Sequence, residues 1–88
     1  MNISTKELDD LVLDVAKTQF EKTIFRRRRL MIAAEKRVKE IGAWMITDDI
    51  LSGSAGRKSA GLANIDWAIT RLEGNGLTKD RQDRWRVS

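Results

Sequence analysis

The chain has no cysteine and no histidine among its 88 residues. Without cysteine there is neither a disulfide framework nor thiolate ligation of a metal. Without histidine it lacks the commonest general base and the commonest transition-metal ligand. Metal binding would fall to carboxylates alone, and no calcium-loop spacing is present. The adjacent acids Asp9-Asp10 and Asp48-Asp49 diverge on a helix and make no two-carboxylate pair. No nucleophile has a base to activate it. These absences predict a non-enzymatic protein with no cofactor and no metal. Long apolar runs are missing too: none approaches the roughly 20 residues that span a bilayer. The opening "MNISTKELDD" has neither the basic start nor the apolar middle of a signal peptide. The expectation is a cytoplasmic, intracellular protein without a membrane partner, folded as a single domain over residues 1–88.

What is present is charge, unevenly placed. Lys and Arg number 17 against 13 acids, for a net charge of +4. Residues 1–16 carry four acids and one lysine, whereas "RRRR" at 26–29 and "TKDRQDRWR" at 78–86 are basic. A local positive field attracts nucleic acid or an acidic protein surface without choosing between them. Four consecutive arginines point in four directions around a helix and form no single stripe. Arg26, Arg28 and Arg29 can meet solvent or phosphate, while Arg27 must find an acid or lie at a break. A run this short, followed at once by "LMIAA", reads as a structural edge rather than a nucleic-acid probe.

Residues 5–41 contain no glycine, the whole chain contains no proline, and good helix formers dominate this stretch. Ser4 or Thr5 can cap its start, with Glu7 and Asp9 favourable in the first turn, and Gly42 supplies a stop. Leu13, Ala16, Phe20, Ile24, Met31, Ala34, Val38 and Ile41 recur at helical spacing, and Glu35–Lys39 is a helical ion pair. As one rod these 37 residues would reach about 55 Å. A compact chain of this size has a radius of gyration of only about 12 Å. The expectation is therefore two helices with a break near residues 22–27, the alternative being one long helix buried in a homodimer through the N-terminal helices. Phe25 and Ile32, one heptad apart, predict extra burial of the middle segment.

Past Gly42 the pattern changes. "AWMITDDILSGS" predicts a short helix capped by Thr47, with Asp48 and Asp49 near its positive end. In "SAGLANIDWAITRLEGNG", Leu62, Ile65, Ile69 and Leu72 mark a second helix that Gly74 or Gly76 ends. The tail "LTKDRQDRWRVS" reads as a two-stranded hairpin, with Trp85 as the plug that closes it onto the core. Between the helices, "SGSAGRKSAG" fails as a nucleotide cradle: Arg57 stands where a glycine is required before Lys58-Ser59, position 52 is serine, and a helix precedes it. Gly53 and Gly56 let the chain turn instead. Ser59 then caps the next helix, and Arg57 and Lys58 sit near its positive end, where they could grip a phosphate.

The order of short capped helix, loop, amphipathic helix and basic hairpin resembles the winged helix-turn-helix over about residues 30–88. "ITDDIL", "IDWAITRLEGNGLT" and "DRWRV" carry the resemblance. The implied fold is mainly α with a short β-hairpin, a winged helix-turn-helix in residues 42–88 preceded by an N-terminal helical region in 5–41. It implies double-stranded DNA as partner, with the second helix in the major groove and the wing on flanking backbone. Asn64 and Arg71 would read bases, since Asn suits adenine and Arg guanine. Lys79, Arg81, Arg84 and Arg86 on the wing would contact phosphate, although Asp80 and Asp83 dilute their field. A transcriptional regulator or accessory DNA-binding factor follows. Trp67, central on the outer face of that helix, raises the alternative: a protein–protein adaptor or inhibitor of the kind a mobile element encodes, anchored by Trp67. Packing of Trp67 against the N-terminal helices is the plainer expectation.

Overall fold

Helix α1 (Thr5–Gln19) begins with reciprocal capping. Ser4 Oγ accepts from the Glu7 N–H at 3.1 Å, and the Glu7 carboxylate accepts from the Ser4 N–H at 3.0 Å. The computed structural model describes residues 1–52 and 58–88; the expected turn at Gly53 and Gly56, and Arg57 with it, lie outside the described residues. The chain leaves α1 at Phe20 and re-enters helix as α2 (Arg27–Glu40), so the N-terminal region is two helices with a break at 20–26. Gly42, at φ +76°, ends α2. Its N–H reaches the Lys39 carbonyl at 3.1 Å, and the Ala43 N–H reaches that of Val38 at 3.0 Å. That paired pattern needs a left-handed residue, which glycine adopts without cost.

The segment after Gly42 departs from expectation. In place of a helix capped by Thr47 stands a single 3-10 turn over Ile46–Asp49, followed by strand β1 (Leu51–Ser52). The Asp48 carboxylate accepts from the Met45 N–H at 2.8 Å and from the Met1 amine at 3.1 Å, and it is buried. That capture closes the turn after one revolution, and Ile50 then takes an extended conformation. β1 pairs antiparallel with β2 (Lys58–Ser59), Leu51 opposite Ser59.

Helix α3 (Ala60–Leu72) is capped as the sequence predicts, Ser59 Oγ accepting from the Leu62 N–H at 3.2 Å. It ends at Leu72, with Glu73 already extended. Strands β3 (Leu77–Lys79) and β4 (Trp85–Val87) form the expected antiparallel hairpin, Thr78 opposite Arg86. A contact that the sequence did not suggest extends it: Phe25 bridges Trp85 on the other edge of β4, exchanging two backbone hydrogen bonds at 2.9 and 2.8 Å. The protein is thus mainly helical with a small antiparallel hairpin.

One core joins these elements. Val12, Val15 and Ala16 of α1, Leu30, Ala34 and Val38 of α2, and Ile65, Ala68 and Ile69 of α3 meet Leu77 and Trp85 with no solvent exposure. The continuous stripe expected across residues 13–41 does not survive the break. Ala16, Ala34 and Val38 of that stripe are buried, but Ile24 and Ile41 are each more than half exposed, and α2 buries Leu30 in place of Met31. Of the pair expected to be buried, Phe25 is and Ile32 is not.

Gly61 sets how closely α3 approaches the 3-10 turn. A Cβ there would lie 2.3 Å from Trp44 Cη2 and 2.8 Å from the Asp48 Cβ. Gly61→Ala is expected to cost about 1–3 kcal/mol through overpacking, read as a lower urea midpoint with an unchanged m-value.

Candidate nucleic-acid interface

Arg27 stands at the first position of α2, where the break delivers it to the side of α3. Its Nε donates to Asp66 Oδ1 at 2.5 Å, and its Nη2 donates to the Asp66 carbonyl at 2.8 Å and to Thr70 Oγ1. Its guanidinium lies 5.3 Å from the centroid of the Trp85 ring. Lys58 Nζ takes the other Asp66 oxygen at 2.6 Å. One carboxylate therefore serves two cations from two elements. Partial burial pushes the Asp66 carboxyl up, but hydrogen bonds from Lys58 and Arg27, and then their charges, outweigh it and hold the group below the usual carboxylate range.

The outer face of α3 is divided by charge. Asn64 and Trp67 are exposed, Trp67 by 64 %, so this tryptophan is not a core residue. They line a notch of about 190 Å³ with Met1, Ile3, Leu8 and Arg71. Arg71 is held by Asp9 of α1, its Nε and Nη2 reaching the carboxylate at 2.7–3.1 Å. The acidic start of the chain therefore lies against this edge of α3. The opposite edge, at Lys58 and Asp66, faces the arginines of α2.

The hairpin adjoins the far end of the same helix: Thr70 and Lys79 line one shallow depression. Its turn is built by Asp80, whose Oδ1 accepts from the Gln82 and Arg84 N–H groups and whose Oδ2 accepts from Arg84 Nε at 2.7 Å. The Arg84 backbone bond leads in holding the Asp80 carboxyl below its ordinary range. Asp83, at φ +58°, completes the reversal and accepts from Trp85 Nε1 at 3.0 Å. Both acids that dilute the hairpin's charge are thus turn-forming groups.

The expected contact residues separate into two sets. Lys58, Arg71 and Arg84 are engaged by Asp66, Asp9 and Asp80. Lys79, Arg81 and Arg86 have no carboxylate partner among the described residues, though Lys79 Nζ lies 5.8 Å from the Trp85 ring centroid. Ser59 is a helix cap, and Arg57 lies outside the described residues. Sequence reasoning asked for an acid beside Arg27 without naming one. Asp66 shares a helical edge with Leu62 and Thr70 on the side from which Lys58 enters, and that spacing was the available signal.

Asp66→Asn is expected to destabilise the fold by about 1–3 kcal/mol at pH 7, because two cations lose a charged partner. A carboxyl whose folded pKa is depressed contributes its stability above the ordinary value of 3.8 and loses it as pH falls through the folded value. Denaturant titrations of wild type and Asp66→Asn should therefore differ at neutral pH and converge at acid pH. No protein-family model, no curated protein and no solved structure matches the chain, so no relative lends it a function.

Proposed function

We propose that this protein is a small, non-enzymatic duplex-DNA-binding protein on a winged-helix frame, a regulator or accessory factor that presents α3 to the major groove and the β3–β4 hairpin to flanking phosphates. The order of elements supports the frame. A helix, the Phe25 bridge, two further helices and a hairpin follow one another, with β4 lying between β3 and Phe25. The observation that carries the function is the position of Lys79, Arg81 and Arg86. These cations without a carboxylate partner stand on a hairpin that adjoins the C-terminal end of α3. Asn64 is the base reader in this scheme. Arg71 joins it only by exchanging Asp9 for guanine, which makes its contribution a trade of one charged hydrogen bond for another.

A labelled mixed-sequence duplex, followed by fluorescence anisotropy, tests the reading. With about five phosphates neutralised, affinity should fall roughly 500-fold between about 50 and 200 mM salt. Replacing Arg81 and Arg86 together by Glu should remove most binding at the lower salt, and unchanged affinity would count heavily against DNA as the partner.

The exposure of Trp67 favours a second reading, an adaptor or inhibitor that anchors a protein partner there. Trp67→Ala should leave the thermal midpoint within about 2 °C, since so exposed a side chain contributes little to the fold. Duplex binding that survives this change, with loss of a protein partner, would move the function to the adaptor.

A further inference from the structure

The arginines of this chain sort themselves by what they hold. Arg27, Arg37, Arg71 and Arg84 each pair with a carboxylate. Among the described residues, Arg26, Arg28, Arg29, Arg81 and Arg86 do not. These five gather at two places, the start of α2 and the hairpin. Arg26 Nη1 donates to the Gln82 carbonyl at 2.8 Å, which joins the two places directly.

Arg26 ties the start of α2 to the hairpin, but the side chains of Arg28 and Arg29 form no hydrogen bond or ion pair within the described residues. Cations there oppose the helix dipole. The first turn of α2 contains no acid, and Arg26 at the cap position makes no side-chain capping hydrogen bond. Arg28 and Arg29 make no hydrogen bond with their side chains among the described residues and are exposed. A placement that opposes local stability and makes no internal contact is the signature of a residue kept for a ligand.

Their surroundings leave that charge available. A groove of about 660 Å³ runs from Arg26 and Arg28 past Ile32 to Lys58 of β2 and Leu62 of α3. Three acids line it, and each is occupied: Asp66 by Arg27 and Lys58, Asp83 by the Trp85 indole, and Glu35 by Lys39. Arg29 lines a separate depression with Phe20 and Ile24, and Arg26 borders both.

We propose that Arg28 and Arg29, with Arg26 as the link to the hairpin, form a second phosphate-contacting site that extends the footprint on duplex DNA from α3 and the hairpin onto the start of α2. This rests on the duplex-binding reading above. The ligand is the phosphodiester backbone, gripped by guanidinium groups that fit its oxygens bidentately. The site adds affinity and carries no base preference.

The test compares wild type, Arg28→Gln with Arg29→Gln, the same pair changed to Lys, and Lys17→Gln, an exposed cation of α1 in neither group. Each is titrated against one duplex over a range of salt, with thermal midpoints recorded alongside. The slope of log affinity against log salt should shrink by about 1.8 for the double Gln variant. The Lys pair should keep the wild-type slope, and Lys17→Gln should change it little. The thermal midpoint of the double Gln variant should equal or exceed that of wild type. Should that variant fail to fold, Arg28→Gln alone, with an expected loss of about 0.9, decides the matter. Wild-type slope retained in the Gln variant, or an equal loss in Lys17→Gln, overturns this site while leaving the duplex reading intact. Failure of wild-type protein to bind the duplex at about 50 mM salt overturns both.

Discussion

Arg27 places one positive charge where α2, α3 and the hairpin meet, and the relation among those elements depends on how that charge is satisfied. Its planar fork reaches a carboxylate oxygen, a backbone carbonyl and a hydroxyl of α3 while its face lies over the Trp85 ring. A lysine could supply the charge but not this combination of direction and flat contact. Half-buried at its site, the guanidinium would be costly without Asp66, and Asp66 would be costly without it. Lys58 enters the same arrangement from β2 and draws the start of α3 to the same carboxylate. The Phe25–Trp85 bridge then fixes the hairpin to the residue that opens the α2 region.

What could be read from the sequence was whatever neighbouring residues decide. Ser4 with Glu7, Gly42 and Ser59 act on N–H and C=O groups within a turn of themselves, and each does what its residue type suggests. The hairpin and the burial of Trp85 follow from alternation and from a large apolar side chain among charges. Contacts made across long stretches of chain were not legible. Arg27 meets Asp66 across 39 positions, and Arg71 meets Asp9 across 62. The single apolar stripe placed Ile24 and Ile41 inside because it carried one helical phase through residues 20–26. The chain is not helical there, and the phase resets. The segment around Asp48 misled for a related reason: a carboxylate that suits a helix start suits a one-turn cap equally well.

The candidate site shows the same division. Residue types suited to phosphate were visible in the sequence, but their occupancy was not. A lysine or arginine already bonded to a carboxylate must exchange that bond before it contributes to binding, whereas an unpaired one exchanges only water. Arg71 is therefore a different resource from Arg86, though the two look alike in a sequence. The acids of α1 lie along one edge of α3 and the arginines of α2 along the other. The two flanks of α3 consequently differ in the sign of the field they present.

The bridge between Phe25 and Trp85 also orders events in time. During synthesis α1 and α2 emerge first, each with an apolar side that α3 and β4 will later cover. Phe25 cannot exchange its two backbone hydrogen bonds until residue 85 has left the ribosome. Closing so long a loop carries an entropic penalty that the nascent helices cannot offset by themselves. The hairpin therefore covers the apolar sides of the three helices only after all of them have been made.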